Sequence, residues 1–120
     1  MDNNRWVIDT SFKLSNGKQP IHDFFDTLTP NEFHYVENAL DRLEKYGPDI
    51  GRPTVDYLED HICELRVRVG RVNVRLLFFR YNRNLVFLVG LKKYGSIPKG
   101  QLMIAKERRI DYLANIKKGL

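Results

Sequence analysis

Residues 61–69 read HICELRVRV, and this stretch decides the fold class. Odd-numbered positions carry a histidine or an apolar residue, whereas Glu64, Arg66 and Arg68 occupy even-numbered positions. Successive side chains of a strand point to opposite faces, so the alternation predicts a strand with one apolar and one mostly charged face. Arg66 and Arg68 are therefore expected on the same face.

Other strands are predicted on both sides of this one. Residues 72–81 and 85–93 are almost continuously apolar and flank Asn82-Arg83-Asn84, which is typical of two central strands joined by a turn. Residues 5–12, RWVIDTSF, predict an earlier strand because β-branched and aromatic residues are enriched there. Residues 47–56 contain two Gly and two Pro, which predicts a loop.

Helices are predicted before and after the central strands. Pro20 suits a first helical turn, and the spacing of Ile21, Phe24, Phe25 and Leu28 gathers them on one helix face. Thr29-Pro30-Asn31-Glu32 is a capping-box pattern that begins a second helix, which should end at Gly47-Pro48. A last helix should begin near Pro98 and end at Gly119.

The predicted fold class is α+β, in one domain that spans residues 1–120. It comprises a mainly antiparallel sheet of about four strands, two N-terminal helices and a C-terminal helix. We expect the helices to pack largely on one sheet face, so that the other face is free to hold a site.

The charge of the chain changes sign halfway along. Residues 1–60 contain 6 Lys/Arg and 12 Asp/Glu, whereas residues 61–120 contain 14 Lys/Arg and 3 Asp/Glu, within a total net charge of +5. An acidic flank joined to a basic face suits a polyanionic partner such as RNA.

Candidate site residues cluster on the predicted sheet. Arg75, on the strand next to Arg66 and Arg68, could join them, although pairing of each arginine with Glu59, Asp60 or Glu64 is the simpler alternative. Lys92-Lys93-Tyr94 follows the last strand, and Lys99 follows at the start of a helix, an arrangement that attracts anions. Strand alternation allows only one of the two adjacent lysines to reach the arginine face.

Several other chemistries have no sequence support. The three histidines are scattered, no metal-ligand or nucleotide-binding motif occurs, and the single Cys63 lies inside a predicted strand, so neither a metal nor a cofactor is expected. The longest apolar run, residues 85–91, is much shorter than the roughly 20 residues of a membrane-spanning helix. The start, MDNNRW, lacks the regions of a signal peptide, which predicts a cytoplasmic protein.

These features together resemble a known family, the RelE/HigB-like toxins of bacterial type II toxin–antitoxin systems, and in particular their phage-derived subgroup in the RelE/ParE superfamily. The resemblance spans most of the chain. Its motifs are Gly17-Lys18-Gln19-Pro20-Ile21 with Phe24-Phe25 and Leu28, then LEDHICELRV at 58–67, Arg75-Leu76-Leu77-Phe78-Phe79, LVGLKK at 88–93, Pro98 and Ala105.

The resemblance implies a small endoribonuclease, an mRNA interferase that cuts mRNA on the translating ribosome without a metal. The ribose 2′-hydroxyl would attack the adjacent phosphate and leave a 2′,3′-cyclic phosphate. It implies catalytic roles for Arg68, Arg75, Lys92, Lys93 and Tyr94, and RNA binding by Arg66, Arg71 and Lys99. A cognate antitoxin, commonly a helix-turn-helix protein, would neutralise the toxin, in a possible toxin–antitoxin hetero-oligomer.

The sequence also leaves two other functions open. Family members commonly have Thr-Gln-Lys-Thr-Pro after the paired lysines, where this chain has Tyr94-Gly95-Ser96-Ile97-Pro98. One alternative is a non-enzymatic toxin of the same fold that inhibits a protein target such as gyrase. The other is a nuclease-dead RNA-binding regulatory module, whose binding would depend steeply on salt.

Overall fold

The computed structural model describes residues 5–119. Helices and strands follow one another in the order β1 Val7–Asp9, α1 Pro20–Phe25, α2 Pro30–Tyr46, a 3₁₀ turn Pro48–Ile50, β2 Val55–Glu59, β3 Ile62–Val69, β4 Val72–Tyr81, β5 Asn84–Lys92 and α3 Lys99–Lys118.

One five-stranded sheet organises the described part of the chain, with the strand order β1-β5-β4-β3-β2. Strands β2 to β5 pair antiparallel, and β1 pairs parallel with β5. The register of β4 and β5 shifts between Leu77 and Phe78: Leu77 faces Val89 and Phe78 faces Phe87. Leu88 is therefore the extra residue of a β-bulge.

The first sheet face, called here the α1/α2 face, is covered by the two N-terminal helices. Its buried core includes Leu65, Leu76 and Phe78 from the strands, together with Val36 and Leu43 from α2. The predicted capping box begins α2: the Thr29 hydroxyl accepts a hydrogen bond from the Glu32 amide at 3.1 Å, and the Glu32 carboxylate accepts one from the Thr29 amide at 2.9 Å.

The predicted end of α2 at Gly47 is also confirmed. Gly47 has a φ of 78°, and a Cβ atom there would lie 2.3 Å from the Trp6 ring nitrogen. Glycine is required for both reasons, because its lack of a side chain permits the positive φ and the close contact.

The second face, called here the α3 face, is only partly covered. Helix α3 packs on a core that includes Leu77, Phe79, Leu88 and Ala105. It leaves open the part of this face nearest the β3–β4 turn, which is lined by Arg66, Arg68, Asn73 and Arg75. The uncovered part of the sheet is therefore its polar part.

The predicted α+β class with two N-terminal helices and a C-terminal helix is confirmed, with two differences in the strands. The sheet has five strands, because β2 forms within and beyond the predicted loop at 47–56 and pairs with β3. The first strand is shorter than residues 5–12, because only residues 7–9 pair with β5.

The prediction that the helices pack largely on one face was wrong. Adjacent residues of the central strands, such as Phe78 and Phe79, point to opposite faces and are both buried. A sheet with two apolar faces needs cover on each, and α3 supplies it on the second face.

Candidate functional site: an arginine cleft on the open sheet face

The uncovered part of the α3 face forms a cleft of about 380 Å³, called here the arginine cleft. Strand pairing builds it: Arg66 of β3 lies opposite Arg75 of β4, and Arg68 lies opposite Asn73. These four side chains project from one face because they keep the strand alternation of β3 and β4. The cleft is lined by Pro53, Thr54, Arg66, Arg68, Asn73 and Arg75.

A buried carboxylate holds two of the three arginines of the cleft. Glu64 is 1% exposed, and its two oxygens accept from different arginines: Oε1 from Arg66 Nε at 2.8 Å and Oε2 from Arg75 Nη1 at 3.1 Å. Arg75 is itself 8% exposed, so its charge is held in a nearly dry position. Burial of such a charge is tolerated only when it is paired, and Glu64 supplies the pair.

A second carboxylate extends the network to the edge of the sheet. Asp56 Oδ1 accepts from Arg52 Nε at 2.9 Å, and its Oδ2 lies 3.6 Å from Arg66 Nη2. The hydrogen bond from Arg52, aided by the charges of Arg52 and Arg66, lowers the pKa of Asp56 below its ordinary value. Asp56 therefore remains ionised and helps hold Arg66 in place.

Arg68 differs from the other two arginines of the cleft. Its Nε donates to the Gly70 carbonyl at 3.2 Å, and within residues 5–119 it has no carboxylate partner. The side chain is exposed. The predicted pairing of each arginine with an acid thus holds for Arg66 and Arg75, both through Glu64, and not for Arg68.

The cleft keeps an excess of positive charge. Its three guanidinium groups and the Glu64 carboxylate sum to a formal +2. Guanidinium groups present planar forks of donors that match the oxygens of a phosphate. The larger cleft of about 700 Å³ between β1, α1 and α2 has no lysine or arginine in its lining, so the arginine cleft is the better anion site.

Strand alternation sends the two adjacent lysines to opposite faces, and the bulge at Leu88 sets the alternation of the residues that follow it. Lys92 lies on the α1/α2 face, where its Nζ donates to Glu32 Oε1 at 2.9 Å. Lys93 follows it, its amide donates to the Asn73 carbonyl at 3.0 Å, and strand alternation assigns it to the arginine side. Lys92 thus pairs with Glu32 and does not line the arginine cleft, and its catalytic role stays a prediction.

The remaining predicted site residues, Arg71, Tyr94 and Lys99, do not line the cleft. Arg71 is exposed in the β3–β4 turn, and Lys99 is exposed in the first turn of α3. Tyr94 is 61% exposed in the segment between β5 and α3. Their roles in RNA binding or catalysis stay predictions.

Sequence reasoning missed residues that complete the site. Glu64 was considered only as a neutralising partner, and Asp56 and Asn73 were not considered. The alternation of 61–69 held a usable signal for Glu64, because it shares the parity of Arg66 and Arg68. For Asp56 no such signal existed, because it lies in the segment 47–56 that was predicted to be a loop.

Other candidate chemistries find little support in the described residues. Cys63 is half-buried on the α1/α2 face, and burial, followed by the charge of Asp56, raises the pKa of its thiol. A raised pKa disfavours the reactive thiolate. In residues 5–119 no three His, Cys, Asp or Glu side chains lie close enough to hold a metal ion, and no helix is long and apolar enough to cross a membrane.

The fold and the cleft define a class of small α+β proteins with a cationic sheet face, and comparison with known proteins identifies the family. Residues 23–109 match the family described as "Phage derived protein Gp49-like". The chain is also 30% identical over 101 residues to "Putative toxin HigB3" of Mycobacterium tuberculosis (strain ATCC 25618 / H37Rv), covering 79% of this chain and 89% of that protein.

The chain therefore belongs to the phage-derived Gp49-like family, and its predicted membership of the HigB/RelE-like toxins of toxin–antitoxin systems is confirmed. The matched region 23–109 includes every residue that lines the arginine cleft.

Proposed function

We propose that this toxin is a ribosome-dependent mRNA endoribonuclease that needs no metal. The observation that carries the proposal is the arginine cleft, in which Arg66, Arg68 and Arg75 share one open face above the buried Glu64. An excess of positive charge on rigid strands suits the scissile phosphate, whose charge increases in the transition state of cleavage.

The residues of the cleft would divide the work. Arg68, exposed and free of carboxylates, would contact the phosphate oxygens directly, while Arg66 and Arg75 would present the donors that Glu64 does not use. Lys93, on the same side by strand alternation, would act as general base or as a further charge clamp. Tyr94 would stack on a base, since exposed aromatic rings bind unpaired nucleotides in this way.

The proposed reaction is a transesterification. The 2′-hydroxyl oxygen attacks the adjacent phosphorus in line, the bond from phosphorus to the 5′-oxygen breaks, and the 2′-hydroxyl proton passes to the general base. The departing 5′-oxygen takes up a proton from a general acid in exchange for the one given to the base, so the products are a 2′,3′-cyclic phosphate and a 5′-hydroxyl. No water and no redox partner enters this step.

The proposal also sets the partners and the compartment. A ribosome-dependent nuclease acts on mRNA in the cytoplasm, and a toxin–antitoxin system supplies a cognate antitoxin that binds the toxin. We propose that this antitoxin is a helix-turn-helix protein and that it silences the nuclease in a hetero-oligomer.

Controlled expression in bacteria tests the proposal. The wild type is compared with Arg68→Ala, and primer extension is performed on a translated and an untranslated copy of one mRNA. Arg68→Ala is the preferred variant because Arg68 is exposed and its loss leaves no buried carboxylate unpaired. Arg42→Ala, an exposed arginine on α2, is the matched control.

We expect cuts only in the translated copy, with cleavage lower by about 100-fold in Arg68→Ala and unchanged in Arg42→Ala. Growth arrest without cuts would instead indicate a protein target. Neither arrest nor cuts would indicate an RNA-binding module without nuclease activity.

A further inference from the structure

Glu64 accepts hydrogen bonds from two arginines on different strands, which is more than charge neutralisation of a single arginine requires. It is nearly inaccessible, and each of its oxygens is committed to a different arginine, one on its own strand and one on the neighbouring strand. The shared partner thus ties Arg66 to Arg75 across the two strands. Asp56 adds a second hold on Arg66 from β2, whereas Arg75 has Glu64 as its sole carboxylate partner within residues 5–119.

We infer that Glu64 is a positioning residue, which sets the geometry of Arg66 and Arg75 for the scissile phosphate and weakens RNA binding in return. This inference rests on the proposed nuclease function. It assigns to one buried carboxylate two effects of opposite sign: productive orientation of the donors, and partial cancellation of the positive charge that attracts RNA.

A direct acid–base role for Glu64 does not fit its surroundings. An acid or base must approach within hydrogen-bond distance of the proton that it transfers. The Glu64 side chain is 1% exposed and packed against Arg66 and Arg75, so a 2′-hydroxyl cannot reach its oxygens unless neighbouring side chains move. Its influence on cleavage must therefore pass through Arg66 and Arg75.

Glu64→Gln is the informative variant because it preserves size and removes the charge. A carboxylate accepts at both oxygens, whereas an amide has one acceptor and one donor. Whichever way the Gln amide turns, its nitrogen faces either Arg66 Nε or Arg75 Nη1, donor against donor. One arginine is then always released. Glu37→Gln, on the exposed surface of α2, makes the same charge change away from the cleft.

The experiment measures binding and cleavage separately. Binding uses a single-stranded RNA of about 12 nucleotides whose 2′-hydroxyls are all methylated, so that it cannot be cut. Cleavage uses programmed ribosomes and reports the rate at saturation and the half-saturating concentration. Thermal unfolding followed by circular dichroism gives the folded fraction of each variant.

We expect Glu64→Gln to bind the methylated RNA about five-fold more tightly at low salt, because a nearby negative charge has been removed. The cleavage rate at saturation should fall by about 100-fold, because the guanidinium donors of Arg66 and Arg75 are displaced from their positions around the phosphate. Glu37→Gln should change neither quantity by more than about two-fold at the same salt concentration.

Glu64→Asp is a second variant that allows the inference to be tested if Glu64→Gln does not fold. It keeps the charge but is one methylene shorter, so it can hold only one of the two arginines. Its RNA affinity should match that of the wild type within about two-fold, while its saturated cleavage rate should fall by at least about ten-fold.

Binding and cleavage that decline together, in proportion to the folded fraction, would overturn the inference and leave Glu64 a structural residue. Wild-type cleavage in either Glu64 variant at full folded fraction would overturn it as well, with the proposed function intact. Absence of cleavage by the wild type, in contrast, would overturn the proposed function, and the positioning role would fall with it.

Discussion

Glu32 and Glu64 both pair with cations against the same sheet, from opposite faces, with different consequences. Glu32 caps α2 and accepts from Lys92, whose ammonium ends on a face covered by two helices. Glu64 accepts from Arg66 and Arg75, whose remaining donors border an open cleft. The comparison teaches that an ion pair becomes a candidate site only where the cation keeps donors that a ligand can reach.

The two adjacent lysines offer the strongest test of this contrast. Lys93→Ala should lower ribosome-dependent cleavage by about 100-fold, because it removes a cation from the arginine side of the sheet. Lys92→Ala should retain the cleavage rate per folded molecule, because Lys92 pairs with Glu32 on the other face. Rates from programmed ribosomes, normalised to folded protein, check both. An equal decrease in the cleavage rate of the two variants would contradict the proposed difference between the two sheet faces.

The bulge at Leu88 determines which residues of β5 point to each face of the sheet. Arg108 of α3 makes a hydrogen bond to this bulge. Arg108 Nη1 donates to the Leu88 carbonyl at 2.7 Å, and burial lowers the pKa of this guanidinium. Arg108→Met retains an unbranched side chain but removes the guanidinium group, so the Leu88 carbonyl loses its hydrogen-bond donor. The free energy of unfolding should fall by about 2 kcal/mol in urea titrations, since hydrogen bonds to charged groups contribute about this much.

Lys117→Met, near the exposed end of α3, is the matched control for Arg108→Met and should leave the urea midpoint unchanged. An unchanged midpoint in Arg108→Met as well would show that the bulge holds without α3. The assignment of Lys93 to the arginine side would then depend on β4 and β5 themselves.

The smallest expected effect concerns the pH dependence of the Glu32 pair. The Thr29 amide, then Lys92, lowers the pKa of Glu32 from its ordinary value of 4.5. A carboxyl group with a lowered pKa in the folded state stabilises the fold above its unfolded pKa, and this contribution is lost as the pH falls through the lowered value. The stability difference between the wild type and Glu32→Gln should therefore be largest at neutral pH and shrink below about pH 4.5.

Chemical denaturation at a series of pH values measures this difference. A difference that stays constant from neutral pH down to about pH 3 would contradict the prediction, because it would place the stabilisation in packing and not in the charge of Glu32.

Local patterns sufficed to predict much of the fold. The alternation at 61–69 predicted β3 and the shared face of Arg66 and Arg68, and the strand opposite brought Arg75 beside them. The capping box at Thr29 and the glycine at Gly47 predicted both ends of α2. These local patterns predict the structure correctly because the interactions involved are between residues close in sequence, such as a capping hydrogen bond or the positive φ of a terminal glycine.

The errors arose where a distant segment decided the outcome. Strand β2 forms because it can pair with β3, although its own residues follow a loop rich in Gly and Pro. Helix α3 covers the second face because Phe79 and Leu88 must be buried there. The secondary-structure propensity of one segment predicts neither outcome, because strand pairing and helix packing also depend on the segment that is contacted.

The sequence by itself determined the α+β class, the basic second half and the arginines that share a strand face, because charge and alternation are properties of the chain. Only the tertiary structure decided that Lys92 pairs with Glu32 on the other face and how the arginines are held. The bulge at Leu88 inverts the alternation after it, and Glu64 meets Arg75 only through the pairing of β3 with β4. Both depend on contacts between strands, whose register is set when the sheet forms.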